Sequence, residues 1–507
     1  MPNWLAQRAH LSTERLALVV GNRRWSYAEL DQSVTQIARM LRGHGIGAGD
    51  RVAVLLRNGY PFVGLVHALV RLGAILVPLN TRLTAAEIGW QIDDVGTRVL
   101  VYDAHQASLA AKVSDRRPEL HQIRVAADAT ADEIEPASQA VDVDVGTDPW
   151  CDRIDLSAAQ SVIYTSGTTG FPKGAMITYG NLWWSAVGSV LNLGHHHEDR
   201  WLACLPLFHV GGLSILFRSV IYGIAAIVHE AFDASAVNQA IDEDGVTIIS
   251  VVSTMLQRML EARGPRPYPS TLRCVLVGGG PVPPSLLETC ARRHVPVVQT
   301  YGLTEAASQV ATLAPEDALR KIGSAGKPLL PTELRIERDR EAMPAGEIGE
   351  IVVRGPTISP GYVNYPEAAT RALHDGWLRT GDLGYLDDEG FLYVVDRRDD
   401  LIISGGENVY PAEVEAVLRE HPAVEEAGVV GVPDAEWGQV VAAVVKTRAG
   451  VVLIPDELID FCRQRLARYK VPTRLRVVDR LPRNATGKLV RRALRELWTD
   501  QSSPTSP

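Results

Sequence analysis

Residues 161–174 carry the plainest chemistry in this 507-residue chain. An apolar run from Ser161 to Tyr164, suited to a buried strand, empties into Thr165, Ser166, Gly167, Thr168, Thr169, Gly170, Phe171, Pro172, Lys173 and Gly174. The glycines let the backbone turn its N–H groups toward anionic oxygens, the hydroxyls add donors, and Lys173 supplies a point charge. The stretch reads as a phosphate cradle, stiffened by Pro172 and set directly behind a strand, rather than as a flexible linker. It lacks the Gly-Lys-Ser/Thr ending of a Walker loop, which sets P-loop ATPases aside.

Other segments could complete a nucleotide site. Gln299 to Glu305 follow an apolar strand and are expected to project from its carboxyl end, where α/β sheets bind ligands. There the Tyr301 ring suits a purine, the Thr304 hydroxyl a phosphate oxygen, and the Glu305 carboxylate a hard cation. Gly278, Gly279, Gly280 and Pro281 form another turn after a strand. Asp382 can accept from sugar hydroxyls, and Arg397 adds a fixed fork of donors. Arg218 interrupts the apolar segment 205–223, where an unpaired cation is costly, so it calls for an anionic ligand or a buried acid partner.

These segments, in this order, resemble those of the adenylate-forming enzymes, which include acyl-CoA synthetases, luciferases and the adenylation domains of peptide synthetases. The resemblance covers nearly the whole chain and implies a two-step reaction: a carboxylate attacks ATP at the α-phosphorus, then the thiol of coenzyme A displaces AMP. It assigns ATP to Thr165, Ser166, Gly167, Thr168, Thr169, Gly170, Lys173, Gly279, Gly280, Pro281, Gln299, Tyr301, Gly302, Asp382 and Arg397. Tyr301 is expected on adenine, Thr304 at the α-phosphate, Glu305 on Mg²⁺, and Asp382 with Arg397 on the ribose. Lys488, in the loop 482–488, matches the family's mobile lysine, which bridges the substrate carboxylate and the α-phosphate. His209, with Thr304, Glu305 and Lys488, completes the catalytic set as a gate near the acid and thiol pocket. Asp399 matches the hinge about which the family rotates its small domain. Gly405 and Gly406 match glycines that admit the pantetheine arm.

For the acid itself, His209, Arg218, Ser250, Gly302 and Ser308 are the expected pocket residues. The segments around Arg218, 251–260 and 323–329 resemble those members that activate the aryl dicarboxylate 2-succinylbenzoate for menaquinone synthesis, with Arg218 and Ser250 contacting or shaping the site of its second carboxylate. Ser253 departs from the proline of many relatives. The rival reading is another acyl- or aryl-CoA synthetase, medium-chain or aromatic, with Arg218 paired internally. A non-catalytic nucleotide-binding scaffold is the alternative from another class, against which Lys173, Glu305, Asp382, Arg397 and Lys488 together speak.

The elements that must position these groups follow from periodicity. From Ser26, a helix N-cap, the pattern runs helix, glycine loop, strand 52–56, helix 61–72, and further apolar runs alternate with helical segments in layered α/β fashion. The glycines at 45, 47 and 49 follow a helix and precede a strand, the reverse of a dinucleotide fingerprint. Texture turns β-rich around 322–396, with 387–390 as a hairpin turn, and a compact α+β domain follows a break at 396–400. The expected organisation is α/β: a large N-terminal domain over 1–396, a hinge at 397–400, a small mobile domain over 401–498 and a disordered tail over 499–507.

With 46% hydrophobic and 22% charged residues the composition is that of a globular protein, and a formal charge of −9 without a basic tract argues against nucleic acid. Cys151, Cys204, Cys274, Cys290 and Cys462 form no CxxC pair and read as buried thiols. With no signal-peptide pattern and no apolar run near twenty residues, the expectation is a cytoplasmic protein without stable membrane insertion, acting on small molecules, its homo-oligomeric state left open. Asn484 in a glycosylation triplet is a chance match, and His195 to His197 read as a solvated loop rather than a metal site.

Overall fold

The computed structural model describes residues 1–126, 150–165, 172–280, 282–396, 401–448, 450, 451, 453–482, 489 and 491–499. Two compact units emerge: the first holds Met1–Thr81, Ile92–Ile163 and Gly174–Val395, the second Arg82–Gln91, Tyr164–Lys173 and Asp396–Pro507.

The first unit is built around a nine-stranded sheet whose order from one edge is 327–328, 308–312, 297–303, 274–277, 248–251, 200–203, 225–228, 16–20 and 23–26. Its central strands Ala225–Val228, Ile248–Val251 and Cys274–Val277 are short and buried on every residue, because helices cover a parallel sheet on both faces. Parallel register sets Val251 beside Val277 and Val277 beside Gln299. The carboxyl ends bearing Ser250, Gly278–Gly280 and Gln299 are therefore neighbours. A second, six-stranded sheet contains the parallel strands Arg51–Leu55, Ile75–Pro78 and Val99–Asp103. The β-rich part is a further sheet in which Trp377–Leu386 pairs with Gly349–Arg354.

Local signals are realised where they are local. Ser26 Oγ accepts from Glu29 N at 3.3 Å while Glu29 Oε2 accepts from Ser26 N at 2.7 Å, a capping box that starts the helix Tyr27–Gly43. Asp387 O accepts from Gly390 N at 2.8 Å and closes the hairpin turn. One expectation needs correction: Gln299 to Leu303 do not follow the strand but belong to it, since Val297–Leu303 runs on and pairs antiparallel with Ser308–Thr312. The antiparallel partner satisfies the backbone of residues that look like a loop in sequence.

The second unit contains a five-stranded sheet with the long antiparallel pair Val424–Asp434 and Gly438–Thr447. The helix Pro455–Arg463 turns Leu458 and Cys462 into the core. Inside this unit Lys470 Nζ donates at 2.8 Å to both Glu87 Oε1 and Glu413 Oε1. Burial pushes the Glu413 carboxyl above its usual range, and Lys470 opposes that shift.

Candidate active site

Gly302 decides how the end of strand Val297–Leu303 can be built. A Cβ added there would overlap Ser308 O, so only glycine lets the two antiparallel segments approach. Opposite, Ala307 at φ +51° and Ser308 at φ +100° hold conformations that side chains rarely adopt, a sign of local strain at the site. The predicted residues Gly302 and Ser308 are thus brought together. Gly278 lies so close to this strand that its Cβ would sit 2.7 Å from Thr300 Cγ2.

Tyr301 Oη donates to Asp382 Oδ2 at 2.7 Å. Asp382 is presented by strand Trp377–Leu386, where Gly381 at φ +75° turns the chain and Thr380 Oγ1 accepts from Asp382 N at 3.1 Å. Gln299 Nε2 donates to Ser324 O at 2.9 Å, tying the strand to the 323–327 turn. Thr304–Ala306 form a single 3₁₀ turn that presents Glu305, whose Oε1 accepts from Tyr362 Oη at 2.9 Å. A carboxylate so placed has the chemistry of a divalent-cation ligand.

His209 stands at the N-cap of the helix Val210–Tyr222, half-buried, with its ring centroid 4.7 Å from that of Phe208. The turn before it is clamped by Asn58, whose Oδ1 accepts from Leu207 N at 2.9 Å and whose Nδ2 donates to Leu205 O at 2.9 Å. Further along the helix, Arg218 is only 2% exposed. Among the described residues it has no carboxylate partner: it donates to Ser185 Oγ at 3.0 Å and lies 5.6 Å from the Trp201 ring centroid. Burial lowers its pKa from the ordinary guanidinium value. Trp201 Nε1 in turn donates to Ser250 Oγ at 3.0 Å, so Arg218 and Ser250 meet on one indole. Of the two partners expected for Arg218, an anionic ligand or a buried acid, no acid is found among the described residues; a hydroxyl and an aromatic face meet the cation.

In the second unit Thr165 Oγ1 donates to Lys173 O at 3.4 Å. Gly405 and Gly406, at φ +57° and +82°, form the two-residue turn that pairs Ser404 with Glu407. A Cβ on Gly405 would lie 2.6 Å from Trp437, so turn geometry and packing already account for this glycine. Ser166, Gly167, Thr168, Thr169, Gly170, Pro281, Arg397, Asp399 and Lys488 lie outside the described residues. Sequence reasoning missed Asn58 and Tyr362, which act through partners far away in the chain and carry no spacing signal.

The AMP-binding enzyme family matches residues 5–363, and the AMP-binding enzyme C-terminal domain matches residues 413–488. The chain belongs to the AMP-binding enzyme family. Within it, the 2-succinylbenzoate–CoA ligase of Geobacillus kaustophilus strain HTA426 is 52% identical over 499 residues, 98% of each chain. The o-succinylbenzoate CoA synthetase of Bacillus subtilis, as a double mutant bound to its product analogue, superposes with a TM-score of 0.90 at 45% identity over 98% of each chain. The same enzyme in complex with ATP and magnesium ion gives 0.73 at 45% identity, covering 97% of this chain and 99% of that one. This AMP-binding enzyme has the mixed α/β fold of acyl-CoA synthetases with a separate C-terminal domain, and it is a ligase. No helix among its described residues is long and apolar enough to cross a membrane.

Proposed function

We infer that this chain is an AMP-forming acid–thiol ligase that converts 2-succinylbenzoate, ATP and CoA to 2-succinylbenzoyl-CoA, AMP and pyrophosphate, a step of menaquinone biosynthesis. The observation that carries this reading is the full-length relation, at 52% identity, to a 2-succinylbenzoate–CoA ligase.

In the first half-reaction the aliphatic carboxylate forms a bond to the α-phosphorus as the bond to pyrophosphate breaks. In the second, the CoA sulfur bonds to the acyl carbon and AMP leaves. Tyr301 and Asp382 hold adenine and ribose, Thr304 donates to the α-phosphate, and Lys488 neutralises charge between phosphate and incoming carboxylate. Magnesium, when bound with ATP, offsets phosphate charge, and Glu305 is the residue that holds it. Arg218 and Ser250, joined through Trp201, shape the region that accepts the second carboxylate. The cytoplasm is the proposed compartment, in keeping with five cysteines that form no disulfide.

A second reading, another aryl- or acyl-CoA synthetase of the family, is favoured by one observation: Arg218 is held internally by Ser185 and Trp201. A panel of acids incubated with ATP, magnesium and CoA, with thioesters detected by mass, separates the two. The expected result is a thioester from 2-succinylbenzoate in preference to monocarboxylates. A monocarboxylate thioester with none from the dicarboxylate would assign the second reading.

A further inference from the structure

Glu305 is held from two directions by one segment. Tyr362 Oη donates to its carboxylate, and Ser359 N donates to its backbone oxygen at 2.7 Å. The segment 355–363 that supplies both donors is fixed independently of Glu305. Ser359 Oγ donates to Met176 O at 2.6 Å, Met176 N to Gly361 O at 3.0 Å, and Val363 N to Gly174 O at 2.9 Å. Asn181 Nδ2 donates to Pro356 O and Ile358 O, each at 2.9 Å. Ala175 and Tyr362 themselves pair as an antiparallel bridge. Tyr362 is therefore anchored at its backbone to strand Lys173–Thr178, while its hydroxyl fixes the plane of the Glu305 carboxylate.

We propose that Tyr362 is a positioning residue that orients Glu305 toward the divalent cation accompanying ATP. Hydrogen-bonded partners of ligating carboxylates orient the ligand before the metal arrives, and removing such a partner weakens metal binding by about 10–100-fold. The inference rests on the reading of Glu305 as the cation ligand and adds the residue that aims it.

The test is calorimetric titration of ATP into the full chain at graded magnesium concentrations, for the wild type, Tyr362→Phe, Glu305→Gln and the double variant. Tyr362→Phe is expected to raise the magnesium concentration for half-maximal enhancement of ATP binding about tenfold, leaving magnesium-free ATP affinity unchanged. The double variant should be no worse than Glu305→Gln alone, since both act through one carboxylate. Wild-type magnesium dependence in Tyr362→Phe, with that dependence lost in Glu305→Gln, would overturn the role of Tyr362 and leave the Glu305 reading standing. Wild-type dependence in Glu305→Gln would overturn both. Equal weakening of ATP binding with and without magnesium in Tyr362→Phe would make the tyrosine scaffold and also overturn the proposal.

Discussion

The Tyr301 hydroxyl donates to the Asp382 carboxylate at 2.7 Å, joining a residue at the end of the nine-stranded sheet to one on the separate β-rich sheet. The ring proposed to stack on the base and the acid proposed to hold the ribose are thereby one unit. A hydrogen bond to a charged group contributes about 1.5–3 kcal/mol. Tyr301→Phe should keep the ring yet raise the KM for ATP about tenfold, with the KM for the acid unchanged. Steady-state kinetics with each substrate varied checks this, and an unchanged ATP KM would detach Tyr301 from Asp382 in function.

At Gly302 the constraint is steric. Gly302→Ala puts a methyl group against Ser308 O in a strand pair that cannot separate without breaking register. Overpacking of this kind costs about 1–3 kcal/mol. Lower thermal stability and loss of ATP-dependent thioester formation are expected together in Gly302→Ala. A fully active, equally stable variant would contradict the close approach.

Arg218 presents a choice between charge and shape. Arg218→Lys keeps the cation and loses the fork toward Ser185 and the stacking on Trp201. The expected outcome is an acid KM raised about tenfold and an ATP KM within about twofold of wild type, read from initial rates. An acid KM that does not move would take Arg218 out of substrate recognition.

His67 makes stability acid-sensitive. It is 5% exposed in the helix Tyr60–Leu72, and burial pulls its pKa down to about 4, with Arg71 adding to the effect. In the unfolded chain the imidazole titrates near its ordinary value, so between about 6.5 and 4 the unfolded state binds more protons. This contribution is complete above pH 6.5 and fades as pH falls toward 4, for a loss on the order of 3 kcal/mol. His67→Met should flatten the decline of the urea midpoint across that window. An identical decline in the variant would assign the acid sensitivity to other groups.

What can be read from the residues is what is local. The cap at Ser26, the turn at Asp387–Gly390 and the buried strand Cys274–Val277 announce themselves through neighbours a few positions away. The continuation of Val297–Leu303 does not, because its partner strand begins at Ser308 and only tertiary pairing makes Gly302 and Leu303 extended. Arg218 is recognisable as a cation in an apolar run, yet the means of tolerating it lie elsewhere: Ser185, 33 residues upstream on another helix, and Trp201 on a strand. Tyr362 and Asn58 are silent in sequence for the same reason: each meets its partner more than 50 residues away, across distances no motif spans.

Strand Val297–Leu303 outruns Cys274–Val277, whose last paired residue, Val277, faces Gln299. Beyond that point the shorter neighbour gives way to bare glycines, leaving a step beside Thr300 and Tyr301. The contour beside Thr300 is consequently set by a glycine turn and not by strand pairing, and Gly278, whose added Cβ would sit 2.7 Å from Thr300 Cγ2, is where a side chain would fill it.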